Sequence, residues 1–167
     1  PDGEYIVFLR YSKEVCINSN IWAKNTKTQQ ETQLTKNMGY LGSLSFSPDR
    51  KKLVFIKTET CNKPITQKDC YHLVSLDFEK ALATPQSPEI LVECKNSRIA
   101  SPKWLNNNNI ALLQKTSDRW KLVSYSITDN KSEVLYSPED GNLIYYNYST
   151  ADNIFAVIST HNDGQNY

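Results

Sequence analysis

One phrase constrains this chain more than any other: Leu44-Ser45-Phe46-Ser47-Pro48-Asp49-Arg50-Lys51-Lys52-Leu53-Val54-Phe55-Ile56. A short alternating run ends in an aromatic, meets a Pro-Asp pair, and leaves as four consecutive apolar residues. Proline presets the backbone for the second position of a tight turn, and the aspartate carboxylate can close it. The chain therefore reverses here for a local reason, strand into turn into buried strand. The phrase recurs. Pro1-Asp2-Gly3 precedes the apolar run 5–9; Trp104, Leu105 and the asparagines 106–109 precede 110–113; Tyr148 and the polar stretch 149–153 precede 154–158. The turns at Pro1 and Pro48 lie 47 residues apart, and the aromatics Phe46, Trp104 and Tyr148 follow at intervals of 58 and 44 residues. Repetition at about 40–50 residues is the mark of arrays and propellers.

The filling between copies is consistent. Strand-like runs at 20–23, 32–35 and 40–46 complete the first repeat, 71–78, 90–94 and 98–104 the second, and 120–127, 132–136 and 143–148 the third. Each repeat thus supplies four strands with turn-rich punctuation, as a propeller blade requires. The run that opens each repeat is apolar at consecutive positions, whereas a sheet with one wet face alternates. Blades stacked face to face bury both faces of such a strand. Ten Tyr, three Trp and five Phe against a single Met agree with pleated, half-buried surfaces. The expectation is an all-β propeller of four-stranded antiparallel blades: blade 1 at 1–46, blade 2 at 47–104, blade 3 at 105–148 and the first strand of a fourth in 149–167. Three blades do not close a ring when propellers have about four to eight. Either further blades exist elsewhere, or the open edge strands associate with another copy of the chain. A start at Pro1, without Met and inside a repeat, is expected of a processed piece from which a leader, anchor or second domain has been removed.

Chemistry is sparse. The two histidines, His72 and His161, allow a Ser-His-Asp set around only one of them, and no Gly-x-Ser-x-Gly nucleophile elbow occurs, so no catalytic set and no enzyme is expected. His-Glu-x-x-His, EF-hand and paired Cys-x-x-Cys patterns are absent, and no metal or other cofactor is expected. Asp2, Asp49 and Asp152 recur at equivalent turns. They read as turn closers in preference to a ring of carboxylates about an axis. Phe46, Trp104 and Tyr148 read as packing between blades. The 19 Lys and Arg against 18 Asp and Glu are scattered, so nucleic acid is not an expected partner, and no apolar run reaches the roughly 18 residues of a membrane span.

The cysteines carry more. Strand alternation puts the loops bearing Cys16, Cys61, Cys70 and Cys94 on one face of the propeller. Closing the loop between Cys61 and Cys70 would contribute about 2–3 kcal/mol in the chain-entropy account, and Cys16 with Cys94 would staple blade one to blade two. Four cysteines admit three pairings, and a thiolate metal site or a redox pair is the rival reading. Two stretches, 59–69 and 79–89, lengthen the loops of the second repeat. They read as surface excursions and as the expected contact elements for a protein or small-molecule ligand that the sequence does not identify.

Residues 46–55, Phe-Ser-Pro-Asp-Arg-Lys-Lys-Leu-Val-Phe, resemble the TolB-type, WD-like propeller repeat, with Arg50 where that repeat has glycine. Asn20-Ile21-Trp22 and Gln33-Leu34-Thr35 resemble its second strand and its closing Leu-Thr. The likeness spans the chain, closest in the first two repeats. It implies a non-enzymatic binding or sensing module. The setting it most resembles is the periplasmic sensor domain of a CadC-like, membrane-anchored transcriptional regulator. The alternatives are the gating propeller of a serine peptidase or hydrolase and a free TolB-like periplasmic scaffold.

Overall fold

A computed structural model of the chain describes residues 3–11, 19–36, 41–58, 71–93, 98–117 and 119–161. The turn at Asp2, all four cysteines and the loop at 59–69 lie outside these residues.

The architecture is nearly all-β, built as a file of antiparallel sheets. Sheet 1 holds β1 (Tyr5–Tyr11), β2 (Ser19–Asn25) and β3 (Glu31–Gln33). Sheet 2 holds β4 (Leu41–Phe46), β5 (Lys52–Thr58), β6 (Tyr71–Asp77) and β7 (Glu89–Val92). Sheet 3 holds β8 (Arg98–Trp104), β9 (Asn109–Thr116), β10 (Arg119–Ser126) and β11 (Lys131–Tyr136). Sheet 4 pairs β12 (Asn142–Ser149) with β13 (Ile154–Thr160). Within each sheet, spatial order follows chain order.

The sheets are phased one strand away from the sequence expectation. β4 pairs with β5, β8 with β9 and β12 with β13, so the strand that ends in Phe46, Trp104 or Tyr148 opens a sheet instead of closing the one before. The recurring phrase is the first hairpin inside a sheet, not the corner between two blades. The reason is local: its turn is too tight for the flanking strands to do anything but pair with each other.

Side-chain alternation explains why the apolar runs stack. Leu53 and Phe55 on β5, with Val74 and Leu76 on β6, face Ile21 and Ala23 of sheet 1, whereas Val54 and Leu73 face Ile99, Ile110 and Leu112 of sheet 3. On β9, Ala111 and Leu113 turn the other way and meet Leu143 and Tyr146 of sheet 4. Each of the three seams is a continuous apolar cluster, and a fully buried aliphatic or aromatic side chain contributes about 1.5–3 kcal/mol. The outer faces of sheets 1 and 4 carry the same kind of residue uncovered, Ile6 on one and Ile154 and Ile158 on the other.

The stretch at 79–89 is not a plain surface excursion. Asp77 accepts a 3.0 Å hydrogen bond from the Lys80 N–H and caps a short helix, α1 (Phe78–Ala83), whose Phe78 and Ala81 are buried against the seam between sheets 1 and 2. Phe78 meets Phe46 and Tyr5 edge to face at 5.0 and 5.5 Å between centroids. Beyond the helix, the Gln86 N–H donates to the Leu34 carbonyl at 2.9 Å and ties this segment to sheet 1. One aromatic and one small residue at helical spacing, Phe78 and Ala81, outweighed the helix-breaking prolines that follow.

Candidate functional site

The opening strands β4, β8 and β12 share a deformation. Ladder register slips between Gly42 and Ser45, between Ala100 and Lys103, and between Leu143 and Tyr145. Ser43 and Ser101 sit at these slips with φ of 56° and 51°, the left-handed region that favours glycine. Such bulges re-aim the residues after them. On β8 the effect is decisive. Arg98 faces Lys115, Ala100 faces Leu113, and after the bulge Lys103 faces Ala111. Directly opposed residues share a face, so the extra residue turns Lys103 onto the side of Arg98 and Ala100, toward sheet 4.

There the Lys103 ammonium donates to Asn147 Oδ1 at 2.6 Å and lies 5.6 and 5.5 Å from the ring centres of Tyr145 and Tyr146. It forms part of a hollow of about 450 Å³ between the opening strands of sheets 2, 3 and 4, whose polar lining includes Ser43, Ser45 and Thr150 and whose aromatic lining includes Trp104, Tyr145 and Tyr148. Lys103 is the one charged residue among its lining. The walls are fixed by hydrogen bonds between sheets. Trp104 donates its indole N–H to the Ser45 carbonyl at 3.1 Å, and the buried Tyr146 hydroxyl reaches the Ser101 and Ala111 carbonyls at 2.6 and 2.8 Å. Burial pushes the Tyr146 hydroxyl well above the ordinary tyrosine range, holding it as a donor. A hollow with rings, hydroxyls, strand edges and one cation can hold a ligand; it lacks a nucleophile paired with a base.

The residues singled out by sequence fall into place unevenly. Phe46 packs in the first seam against Phe78, and Trp104 is buried in the second. Tyr148 lies against Phe155 of its own sheet at 4.6 Å and donates to Asn153 Oδ1 at 2.8 Å. Asp49 accepts from the Ser47 hydroxyl at 2.6 Å and the Lys51 N–H at 3.1 Å, which hold its carboxyl below the ordinary range. Asp152 accepts from the Ser149 hydroxyl at 2.7 Å. In the third copy Asn106 takes over, its Oδ1 accepting from the Asn108 and Asn109 N–H groups at 2.8 Å each. His72 is buried on β6 opposite Lys57, and His161 follows β13; neither lines the hollow. Among the described residues no three His, Cys, Asp or Glu side chains cluster as a metal site, and no helix is long and apolar enough to cross a membrane. A second hollow of about 450 Å³ opens beside α1, floored by Tyr5, Phe46, Phe78 and Leu82. Sequence reasoning missed Ser101, Lys103 and Tyr145, because the bulge that assembles them is made with serine and leaves no glycine signal.

No protein-family profile and no curated protein sequence matches the chain. Solved structures do. TolB from Acinetobacter baumannii superposes with a TM-score of 0.73 at 12% identity, over 99% of this chain and 37% of that one. A putative TolB from Agrobacterium tumefaciens gives 0.72 at 14%, over 98% and 53%. A puromycin-hydrolyzing peptidase from Mycobacterium tuberculosis gives 0.72 at 15%, over 95% and 26%. The structural neighbours are TolB-like β-propeller proteins. The four sheets are therefore blades of the TolB-like propeller fold, and the chain spans between about a quarter and a half of the lengths of these three proteins. At such identities the likeness is one of fold.

Proposed function

We propose that this propeller segment is a non-enzymatic binding module whose ligand sits in the hollow along β4, β8 and β12. The observation that carries this is the Lys103–Tyr145–Tyr146 arrangement. A bulge turns an ammonium into a ring-lined hollow of ligand-sized volume, and interior pockets with few convergent polar groups are where small ligands and peptide segments bind. The setting that fits is an extracytoplasmic, periplasmic sensor or interaction domain of a membrane-anchored transcriptional regulator, in keeping with the resemblance of the repeat. Saturation-transfer NMR of the chain against a mixed peptide and metabolite library tests the site. Ligands whose signals vanish in Tyr145→Ala are expected; ligands that bind indifferently to this substitution, or steady turnover of peptide anilides by the chain, would overturn the reading.

A second reading rests on one comparison: a peptidase shares the fold, so the segment would gate a hydrolase domain. The flanking gene sequence separates the two. A winged helix and one membrane span support the sensor, a downstream α/β-hydrolase segment with its own nucleophile elbow supports the gate, and neither supports a free scaffold. Self-association would use β11, the end strand of sheet 3 and exposed at all six residues.

A further inference from the structure

The hollow beside Lys103 continues along β8. A neighbouring hollow shares Ser43 with it and is bordered by Arg98, Tyr71 and Trp120; a third shares Ser101 and is bordered by Lys115, Trp120 and Asn142. The charged side chains along all three are Lys103, Arg98 and Lys115, and no described carboxylate lines any of them. In a chain with 19 basic and 18 acidic residues, a trough of one sign is a local arrangement and not a consequence of composition.

Two further facts make the arrangement pointed. Arg98 and Lys115 are directly opposed across β8 and β9. Like charges in that position are destabilising in an antiparallel ladder, and a bound anion removes the conflict. The bulge at Ser101 brings the third cation to the same face. From Arg98 to Lys103 the ladder advances from Lys115 to Ala111, four steps on β9, which is roughly 13 Å at strand rise. β8 is also the end strand of its sheet, so part of its row of N–H and C=O groups lies outside the ladder, with the Ser101 carbonyl taken by the Tyr146 hydroxyl and Pro102 offering no N–H. The rest of that row offers donors as well as acceptors. It suits a peptide main chain and disfavours a polyphosphate or nucleic-acid backbone, which has acceptors alone.

Resting on the reading of the hollow as a binding site, we infer that the trough takes an extended acidic peptide segment. One carboxylate meets the Arg98–Lys115 pair and another, four residues along, meets Lys103.

Fluorescence anisotropy with a labelled Glu-Thr-Val-Thr-Glu peptide tests this on the whole chain at low salt. It is expected to bind about 10-fold tighter than its Gln-Thr-Val-Thr-Gln analogue, and Lys103→Gln and Arg98→Gln should each weaken it about 3–10-fold. Lys24→Gln on β2 should leave it unchanged. Arg98→Gln should at the same time raise the melting temperature by about 1–3 °C, because the like-charge pair is gone; a purely structural arginine would lower it. Equal binding of the Glu and Gln peptides overturns the acidic ligand while leaving the hollow as a site. Absence of Glu-peptide binding overturns it too, and the hollow then stands or falls with the Tyr145→Ala library result. Tighter binding of oligothymidylate, inorganic polyphosphate or trigalacturonate than of the peptide overturns the peptide in favour of another anion.

Discussion

β4 and β8 are the same strand built twice, and their differences separate what the fold needs from what it leaves free. Each opens a four-stranded sheet, carries a left-handed serine at a bulge, and ends in an aromatic that packs in the seam behind it. The residue before that aromatic is Ser45 on β4 and Lys103 on β8. The first holds its neighbour in place through its carbonyl, and the second presents a charge to the hollow. The backbone device is a property of the repeat; the cation is a property of one copy.

Substitutions at the seams test this comparison most severely. Trp104→Ala removes a buried indole and its bond to Ser45 and is expected to cost about 3–5 kcal/mol, more than Phe46→Ala on the half-buried Phe46. Urea unfolding of the two variants measures the difference, and equal losses would break the distinction between the two copies. Tyr146→Phe comes next. It strips the Ser101 and Ala111 carbonyls of a buried donor, for about 1–3 kcal/mol. Because burial raises the Tyr146 pKa in the folded state, its contribution is complete below the ordinary tyrosine range and is lost as pH rises beyond it. Alkaline unfolding followed by circular dichroism should accordingly be steeper in the wild type than in Tyr146→Phe.

The turns give smaller effects. Arg50, with φ of 63°, stands where a glycine relieves strain, so Arg50→Gly should stabilise by about 1 kcal/mol in thermal melts. Asn107→Gly in the shorter β8–β9 turn should not, since no left-handed residue is required there and Asn107 Oδ1 accepts the Asp49 N–H at 3.1 Å. Asp49 gives the smallest change. Its carboxyl is held low by Ser47 and Lys51, so its stabilising share is present above the ordinary carboxylate range and disappears as pH falls through the lowered value. Melting temperature against pH should lose part of its acid slope in Asp49→Asn.

Much of this fold was legible in the sequence. The aromatics Phe46, Trp104 and Tyr148 and the apolar runs after them locate the opening hairpins of sheets 2, 3 and 4, because turn chemistry and two-sided burial are local signals. The phase was not, since a repeat read from its most visible phrase begins in the middle of a sheet. α1 was hidden by its brevity and by Pro85 and Pro88. The candidate site was least legible of all. Strand pairing sets Arg98 opposite Lys115, and Lys103 joins their face only because a serine, where a glycine would have drawn notice, carries the bulge between them.

The hydrogen bonds that join one sheet to the next have a mechanical consequence. Trp104 to Ser45, Tyr125 to the Leu91 carbonyl, Tyr146 to Ser101 and the Trp120 N–H to Asn142 each bolt neighbouring layers together, and every seam involves adjacent layers alone. Such a file resists shear but has no tie between its ends among the described residues, so load applied across it should release the layers in turn from the outermost inward, with sheets 2 and 3 the last to let go.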